Sequence, residues 1–559
     1  MATQITSSIV RSIGRAAGLL SKLGRDQRGN AMIIAAAAII PLMACIGGGL
    51  DVSRAYLVKA RLHDACDASA LAGRRAMTNE DITTAQPEAT KFFNFNFPQG
   101  YMGTATFTPQ ITHPATGVVE VQAATSTPTT LMKIFGYGSI PVSVDCNATQ
   151  NFDNIDIVLV LDTTGSMNCL PSDPANCSSS SEKSGSKISG LRQAVMALYD
   201  QLSAAQTQLA AEGLRLRYAV VPYTSAVNIG KVIYAQNPNY LASSWTYQSR
   251  VPNFTISKGK SVFSNWTYKP VTYNVASFLS GGSLTTPTGS NGSNQSFTWS
   301  GCVEEPQTDS TITSSSSTSS IPSGAYDLQM DLIPSSSATQ WKALLADSSN
   351  NTPEFFRPQT ANYTTSNDYT ANTWVSCPAE ASRLAAMDRT SLQNYVNGLF
   401  ARGGTYHDEG MIWGARMLSR NGIFSADNPS TYNSRPVHQY IIFMTDGFIG
   451  TDQCVPIGNC QLVQYTGYGI EGLDRRTGST SGADSDVRHQ TRFQIACTEA
   501  KAAGISIWSI DFGSAAGNDP ALQSCASSSD QYAVSTDSNA LIAKFTEIGK
   551  NIGALRLAK

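Results

Sequence analysis

The chain has 559 residues and a formal net charge of −2, from 39 Lys and Arg against 41 Asp and Glu. This near-neutral charge excludes the basic footprint of a nucleic-acid-binding protein, and a hydrophobic fraction of 41% excludes a wholly disordered chain. Only 14% of the residues are charged, against about 25% in an average soluble domain, so Ser, Thr, Asn, Gln and Gly must form much of the surface.

The first predicted element is an apolar helix at residues 31–50, which contain no charged side chain. At about 1.5 Å per residue, a helix of this length crosses the roughly 30 Å hydrocarbon core of a bilayer. Basic residues dominate the segment 1–30, so the positive-inside rule predicts a cytoplasmic N-terminus with everything after Asp51 outside. We predict an uncleaved single-pass anchor, because the apolar run is longer than that of a secretory signal peptide.

An external helix is predicted next, at residues 51–77. Small and apolar residues recur there at three- and four-residue spacing from Ala55 to Ala76, which is the period of a helix with one apolar face. Because small residues dominate this stripe, we interpret it as packing on its own domain rather than as a coiled-coil seam.

Residues 25–77 resemble the N-terminal segment of the TadE/TadG-type proteins of Tad (Flp) pilus assembly. The resemblance lies in Arg28-Gly29-Asn30, the apolar helix, Asp51, Arg54-Ala55-Tyr56 and the Ala-rich Asp67-Ala68-Ser69-Ala70-Leu71-Ala72. It implies a protein of the bacterial inner membrane whose bulk is periplasmic or at the cell surface. Prepilins commonly carry a Glu shortly after their cleavage glycine, and the corresponding residue counted from Gly29 is Ile34, so processing to a pilin subunit is not expected.

The rest of the chain divides by pattern into three regions. Residues 78–150 contain alternating, β-rich pieces between turn signals and predict a small β-rich module. Residues 151–225 and 385–559 predict one α/β domain, because neither half alone supplies enough strands. The segment 226–384 is rich in Ser, Thr, Asn and Tyr and is interpreted as a long insertion in that domain, with a flexible polar tract at 313–320.

The α/β domain is predicted to begin with a strand at 155–161, which is apolar except for Asp156 and is typical of a central parallel strand buried on both faces. Hydrophobic periodicity predicts further helices and strands in turn. They are a helix at 187–202, a strand at 216–221, a helix at 406–419, a strand at 440–445, a helix at 487–503 and a strand at 505–510.

Oxygen-bearing side chains follow the ends of these elements. Asp162, Thr164 and Ser166 come directly after the first strand, Thr405 opens a helix, and Asp446 follows a later apolar strand. In an open α/β sheet the ligand site lies beyond the carboxyl ends of the strands. Hard oxygen ligands of this kind suit Mg²⁺, Mn²⁺ or Ca²⁺ rather than zinc.

These three segments resemble the metal-ion-dependent adhesion site of von Willebrand factor A domains, whose loops read Asp-x-Ser-x-Ser, then Thr, then Asp. The resemblance implies a Rossmann-like fold, with a mostly parallel sheet and helices on both faces. It also implies that Asp162, Thr164, Ser166, Thr405 and Asp446 hold a divalent cation, Mg²⁺ in the first place and Ca²⁺ or Mn²⁺ as alternatives. Thr164 stands where Ser is usual and keeps the hydroxyl. In the family a partner's Asp or Glu fills the open coordination position.

The 11 cysteines include Cys45 in the apolar helix, interpreted as a small packing residue. The remaining even number, in an oxidising compartment, permits disulfides. The predicted pairs are Cys169/Cys177, Cys454/Cys460, Cys302/Cys377 and Cys497/Cys525. Zinc and redox roles are not expected, because the sequence contains no Cys-x-x-Cys spacing.

Motifs of common enzyme classes are missing from the sequence: there is no Gly-x-Ser-x-Gly, His-Glu-x-x-His or phosphate-binding loop. His407 is interpreted as a surface helix residue rather than a catalytic base. We therefore expect a non-enzymatic, membrane-anchored adhesion or assembly factor of a Tad pilus, with a protein partner among the pilus or secretion components. The alternatives are a surface adhesin or matrix-binding protein not tied to pilus assembly, and a metal-dependent hydrolase that uses the same carboxylates.

Overall fold

The computed structural model describes most of the chain. The described residues are 27–77, 81–115, 117–150, 153–173, 181–345, 364–366, 377–451, 453–454, 460–461, 465–513, 519–553 and 557–558. The chain divides into two compact units, which we call the N-terminal unit (Met1–Asn151 with Leu555–Lys559) and the C-terminal unit (Phe152–Ala554).

The N-terminal unit begins with one helix, α1 (Gln27–Ala76), where the sequence predicted an apolar helix followed by an external helix. Its part Met32–Ala76 is the one helix, among the described residues, that is long and apolar enough to cross a membrane. The large side chains of its apolar half are exposed, Met32 by 79% and Ile46 by 64% of their surface. A helix that stays exposed over so many apolar residues needs an apolar surrounding.

The second half of α1 packs within its own unit, as the stripe of small residues predicted. Val58, Leu62 and Ala65 are fully buried in a core shared with the rest of the N-terminal unit. The hydroxyl of Ser69 donates to the carbonyl of Ala89 at 2.8 Å. Small side chains allow this close approach between two helix backbones.

The prediction of a β-rich module at 78–150 is wrong for its first part, which is the helix α2 (Ile82–Asn96). Asp81 caps this helix by accepting from the backbone N–H of Thr83 at 2.9 Å. Pro87 and the run of Thr and Phe residues hid the helical period in the sequence. The later part is an antiparallel sheet of the strands β1 (Gln110–Thr112), β2 (Val118–Pro128), β3 (Ser139–Gln150) and β22 (Leu557–Ala558). They lie side by side in this order.

The C-terminal unit is built on a mostly parallel sheet in the order β13-β5-β4-β15-β20-β21, with a short strand β14 paired to β15. Neighbours from β5 to β21 pair parallel, and β13 pairs antiparallel at the edge. When these six strands are numbered along the chain, their order across the sheet is 3-2-1-4-5-6, which is the order of doubly wound folds. The chain adds strands first on one side of β4 and then on the other. The strands are β4 (Asn154–Asp162), β5 (Leu216–Tyr223), β13 (Ser382–Ala385), β14 (Thr431–Tyr432), β15 (Arg435–Thr445), β20 (Ser506–Phe512) and β21 (Tyr532–Ser535).

The described helices of this unit are α3 (Lys187–Ala211), α4 (Gly230–Gln236), α5 (Ala276–Leu279), α6 (Arg389–Asn397), α7 (His407–Leu418), α8 (Glu471–Asp474), α9 (Gly482–Ala502), α10 (Pro520–Cys525) and α11 (Ser538–Gly553). Four of them form two packed pairs that cover the sheet, α3 with α11 and α7 with α9. The whole of β4 is buried, as expected for the first strand of a doubly wound sheet.

The insertion predicted at 226–384 contains a long hairpin and several short strands. They are β6 (Ser244–Ser257), β7 (Lys260–Asn274), β8 (Ser283–Thr286), β9 (Gln295–Thr298), β10 (Val303–Glu304), β11 (Lys342–Ala343) and β12 (Thr364–Thr365). The tract 313–320, predicted to be flexible, forms turns in which Ser316 Oγ accepts from the Thr313 N–H at 2.9 Å. Four further short strands lie after β15: β16 (Gln453–Cys454), β17 (Cys460–Gln461), β18 (Tyr465–Thr466) and β19 (Gly469–Ile470).

Residues of the insertion help to bury α7. All residues of this helix are buried, because the sheet and α9 pack against it and the insertion covers Trp413 and Arg416. Glu305 accepts from the Trp413 indole at 2.6 Å and from the Arg416 guanidinium at 2.7 Å, and the Trp341 ring lies 5.2 Å from that of Trp413. A buried ion pair is tolerated when its hydrogen bonds are made, and Trp413 and Arg416 supply them here.

Glu409, in the first turn of α7, is also fully buried. Neither of its carboxyl oxygens has a hydrogen-bond partner among the described residues. Burial, with the nearby carboxylates of Glu305 and Asp408, raises the pKa of Glu409 well above its usual value. Burial without a hydrogen-bond partner therefore disfavours the charged form of this side chain.

Candidate metal centre

The candidate site lies where β4 and β15 end side by side. These strands pair parallel up to Leu161 and Met444. Asp162, the last residue of β4, and Asp446, the residue directly after β15, therefore lie at the same edge of the sheet. Asp162 is fully buried and Asp446 is 4% exposed. A 3-10 turn at Gly165–Asn168 then carries the chain away from β4.

Three of the five predicted ligands are joined by hydrogen bonds between their side chains. Ser166 Oγ donates to Asp446 Oδ1 at 2.7 Å, and the hydroxyls of Thr164 and Ser166 lie 3.0 Å apart. Two hydroxyl oxygens and one carboxylate oxygen, from segments 280 residues apart in the chain, therefore converge on one point. Thr164 is buried, whereas Ser166 is partly exposed.

Asp162 organises the loops around this point. Its Oδ1 accepts from the backbone N–H of Thr164 at 2.8 Å, and its Oδ2 accepts from the Thr445 hydroxyl at 2.7 Å. Burial and the neighbouring Asp446 carboxylate raise the pKa of Asp162 to about 7. Two buried carboxylates this close favour either a proton or a cation between them.

Thr405 is placed at this edge by its backbone. It exchanges two backbone hydrogen bonds with Gly450, at 3.0 and 3.1 Å, and is 8% exposed. The preceding residues tie the segment to the loop after β4, since the Gly165 N–H donates to the carbonyl of Gly403 at 3.0 Å. The structure thus connects the segment of Thr405 to the other four residues, without a described hydrogen bond from its hydroxyl to them.

Lys187 belongs to the site and was missed by sequence reasoning. Its Nζ lies 3.0 Å from Asp446 Oδ2, and the Lys187 and Asp446 side chains are at most 1% exposed. The residue opens α3, behind the N-cap Ser186. A cation in the first turn of a helix is disfavoured by the helix dipole. A lysine at the start of an amphipathic helix was therefore the feature of the sequence that could have indicated an acidic partner.

Asp511 is a further missed carboxylate. It lies near the end of β20, directly opposite Thr445 in the parallel register. Its Oδ1 has no hydrogen-bond partner among the described residues, and burial, with Asp519 and Asp446, raises the pKa of Asp511 to about 6. An apolar strand that ends in Asp is the pattern that identified Asp446, and it applies equally to Asp511.

The interpretation of His407 as a surface residue is wrong. The side chain is 1% exposed, and its Nε2 lies 2.9 Å from the Thr445 hydroxyl. The ring packs against Tyr223, Phe443 and Phe493, and burial lowers the pKa of His407 to about 4. A neutral imidazole here positions Thr445, which in turn holds Asp162.

The described disulfides include two of the predicted pairs, Cys302–Cys377 and Cys497–Cys525. A pair that was not predicted joins Cys66 to Cys146 in the N-terminal unit. Cys45 is exposed on α1 rather than packed.

The other two predicted pairs lie partly outside the described residues. Cys169 is disulfide-bonded, and its predicted partner Cys177 is not among the described residues. Cys454 and Cys460 are backbone neighbours across a short antiparallel pair, the register that a disulfide between them requires.

The chemistry of the donor set fits a divalent cation. The converging atoms are hydroxyl and carboxylate oxygens, which Mg²⁺ and Ca²⁺ prefer. Of the three carboxylates Asp162, Asp446 and Asp511, Asp446 pairs with the buried ammonium of Lys187. Among the described residues this leaves more negative than positive groups in the cluster, which favours an added cation. Zinc is a poorer fit, because no thiolate or free imidazole nitrogen is among these converging atoms.

Comparisons with known proteins agree with the N-terminal resemblance. Residues 29–78 match the family model of Flp pilus-assembly proteins of the TadE/G-like type. No curated protein matches the chain. The match covers most of α1 and does not extend to the C-terminal unit.

Several solved structures are similar at low level. The pilus adhesin SpaC from Lactobacillus rhamnosus GG aligns with 12% identity and a TM-score of 0.30, over 80% of this chain and 34% of that chain. The chain therefore spans about a third of the length of SpaC. The vWF domain of the type V pili tip protein Mfa5 from Porphyromonas gingivalis aligns with 10% identity and a TM-score of 0.30, over 73% and 98%. The PilB minor pilin from Streptococcus sanguinis gives 11% identity and a TM-score of 0.31, over 80% and 78%. These scores are too low to carry an argument about function.

Proposed function

We propose that the protein is a membrane-anchored adhesion or assembly factor of a Tad (Flp) pilus that binds a protein partner through a divalent cation. The ligands are Asp162, Thr164, Ser166, Thr405 and Asp446, with Mg²⁺ as the first choice of metal and Ca²⁺ or Mn²⁺ as alternatives. The match of residues 29–78 to the Tad family supports the pilus context.

One observation carries the metal site. The Ser166 hydroxyl lies within hydrogen-bond distance of both the Asp446 carboxylate and the Thr164 hydroxyl, at the carboxyl edge of a parallel sheet where ligands bind in doubly wound folds. The strand order and this loop pattern support a von Willebrand A-type domain.

When bound, the cation supplies a Lewis-acidic position that a carboxylate of the partner occupies. The chain's own residues hold and orient it: Asp446 and the two hydroxyls of the first loop offer oxygens, and Asp162 fixes that loop through its backbone. Lys187 neutralises one oxygen of Asp446, so an incoming Asp or Glu meets little net repulsion. Nothing in this arrangement requires a chemical step on the partner.

Anchoring follows from the exposed apolar half of α1. We infer that this half crosses the bacterial inner membrane once, with residues 1–30 in the cytoplasm because they carry the excess of Lys and Arg. The chain beyond Asp51 is then periplasmic or at the cell surface, which agrees with its disulfides.

Calorimetric titration of the full chain in detergent with Mg²⁺ tests the metal site. The wild type and Asp530→Ala, which alters an exposed carboxylate outside the site, are expected to bind one ion. Asp162→Ala and Asp446→Ala are expected to bind none. If the wild type shows neither a binding heat nor a rise in melting temperature with Mg²⁺, Ca²⁺ or Mn²⁺, the adhesion-site proposal is wrong.

Pilus function is tested in the producing bacterium by counting surface pili and attached cells. Asp446→Ala is expected to lower pilus number or attachment, and Asp530→Ala to leave both unchanged. If a strain lacking the protein keeps normal pili and attachment, the pilus role is refuted, whereas loss of attachment with normal pili would favour a surface adhesin not tied to assembly.

A further inference from the structure

A short loop of the N-terminal unit lies beside the end of the apolar half of α1. Residues 131–137, Leu-Met-Lys-Ile-Phe-Gly-Tyr, connect β2 to β3 and contain a 3-10 turn at Met132–Phe135. We call this segment the interface loop. It contains no acidic residue and five large apolar or aromatic side chains.

Asp51, the first residue after the apolar segment, fastens the interface loop to α1. Its carboxylate accepts from the backbone N–H groups of Thr130 at 2.8 Å, Leu131 at 3.1 Å and Met132 at 2.9 Å. The side chain is 2% exposed, and the hydrogen bonds from Met132 and Thr130 lower the pKa of Asp51 below its usual value. The loop is therefore held at a fixed height on the helix.

That height is inside the apolar segment. A Cβ placed on Gly47 would lie 2.6 Å from the Cβ of Leu131, and one on Gly48 would lie 3.8 Å from the sulfur of Met132. Gly47 is three residues before Leu50, so the loop reaches about 4.5 Å back along the span at 1.5 Å per residue. Glycine at position 47 is required for this approach, while Ile46 and Leu50 beside it stay exposed.

Several backbone groups of the interface loop are paired within the turn or with the residues next to it. The Tyr137 N–H donates to the carbonyl of Met132 at 3.1 Å, and the Gly136 N–H to that of Lys133 at 3.1 Å. The Thr129 hydroxyl donates to the carbonyl of Tyr137. Each backbone group that is paired in this way lowers the cost of moving the turn out of water.

The side chains that this turn presents outward are those of a membrane interface. Ile134 is 67% exposed and Tyr137 is 64% exposed. Lys133, directly before Ile134, is exposed as well. Tyr is enriched at the headgroup level, and Lys near a span reaches outward to the phosphates while its stem lies in the apolar layer.

We propose that the interface loop enters the outer, non-cytoplasmic face of the phospholipid bilayer that α1 crosses, and so fixes the depth and rotation of the N-terminal unit on the membrane. This rests on the proposed anchoring by α1. A lipid surface is favoured over a protein partner because the loop lies level with lipid-exposed residues of the span. No separate binding surface is then needed to hold the unit against the membrane.

Photo-crosslinking in vesicles of phosphatidylethanolamine and phosphatidylglycerol tests the proposal with the full chain. Benzoylphenylalanine is placed singly at Tyr137, at Ile40 in the middle of the span, and at Phe95 as a matched control. Phe95 is 82% exposed in the same unit, but the neighbouring Asn96 is bonded to Arg61 of α1, about 16 Å beyond Leu50 along the helix. Lipid adducts are counted by mass spectrometry.

We expect lipid adducts at Ile40 and at Tyr137, with the Tyr137 yield at least several-fold above that at Phe95. Adducts at Ile40 with none above the Phe95 level at Tyr137 would overturn the interface loop and leave anchoring intact. The absence of adducts at Ile40 would overturn anchoring and the loop together, and protein adducts at Tyr137 in place of lipid would make the loop a protein-binding surface.

A second variant tests the positioning role of Asp51. Asp51→Ala removes the acceptor of three backbone N–H groups and is expected to lower the Tyr137 adduct yield several-fold while the Ile40 yield stays unchanged. Unchanged yields at both positions would show that Asp51 does not hold the loop at the membrane.

Discussion

Lys187→Met tests how the candidate metal centre balances its charge. The Lys187 ammonium lies 3.0 Å from Asp446 Oδ2 with both side chains buried. At an effective dielectric constant of about 20, two unit charges at that distance attract each other by roughly 5–6 kcal/mol. Removing one partner of a buried pair costs about 3–5 kcal/mol, because the other charge is left uncompensated. We expect this loss in unfolding free energy when metal is absent.

The same substitution is expected to strengthen metal binding. Lys187 and the proposed cation both offset Asp446, so removal of the lysine relieves repulsion of the ion. If about 2 kcal/mol of the loss is recovered on binding, the Mg²⁺ dissociation constant falls roughly thirtyfold. The variant should therefore be markedly less stable than the wild type in EDTA and closer to it in saturating Mg²⁺.

Two measurements on the full chain in detergent check this prediction: calorimetric titration with Mg²⁺, and urea unfolding with EDTA or Mg²⁺. Lys231→Met is the matched control, because Lys231 pairs with Glu380 at 3.6 Å with both side chains about half exposed. Such a surface pair contributes about 0–1 kcal/mol. Equal Mg²⁺ affinity in the wild type and Lys187→Met would refute the reasoning.

Three further substitutions have definite expected outcomes. Thr164→Ser keeps the hydroxyl that lies 3.0 Å from Ser166 and should bind Mg²⁺ like the wild type, whereas Thr164→Val should lose most of the calorimetric heat; equal binding by both would remove Thr164 from the ligand set. Glu409→Gln replaces a carboxyl whose pKa is raised well above its usual value by burial. The wild type should therefore lose stability relative to the variant as the pH rises from the unfolded-state pKa, about 4.3, towards the raised pKa of the folded state, by at most about 1.4 kcal/mol per pH unit; parallel urea midpoints across pH would contradict this. Removing the Cys302–Cys377 bond, which joins residues 75 apart in sequence, with a double Ala substitution should cost about 2–5 kcal/mol in urea unfolding; an unchanged midpoint would show that the bond adds no stability.

The sequence predicted a strand or helix correctly where the burial of that element alone determines the order of its apolar and polar residues. From Ile157 to Leu161 the strand before Asp162 is apolar, because β4 is buried on both faces. This apolar run marked the start of the sheet and the loop that follows it. Asp446 was found by the same argument on β15. The convergence of these loops could be predicted because parallel strands end at a common edge, and their role as metal ligands stays a prediction.

Sequence reasoning failed where a distant segment decides the environment. His407 has charged neighbours that are typical of a surface helix, but its ring is buried against Tyr223, Phe443 and Phe493. These residues are distant in the chain, so the sequence around His407 does not show that they cover it. Lys187 is ordinary as a helix residue and acquires its role only from Asp446, which is 259 positions away. The helix α2 was missed for a local reason, since β-branched residues and Pro87 lower its helical propensity.

The complete burial of α7 sets a limit on how this domain can be divided. A helix on the outside of an α/β sheet ordinarily has one face exposed to solvent. In α7, Trp341 and Glu305 of the insertion contact Trp413 and cover it from solvent. A shortened chain without residues 226–384 would expose Trp413, leave the Arg416 charge without its carboxylate and free the helix that begins two residues after Thr405. The insertion is therefore part of the smallest piece that can fold around the candidate metal centre, and its loss would remove the site along with the domain.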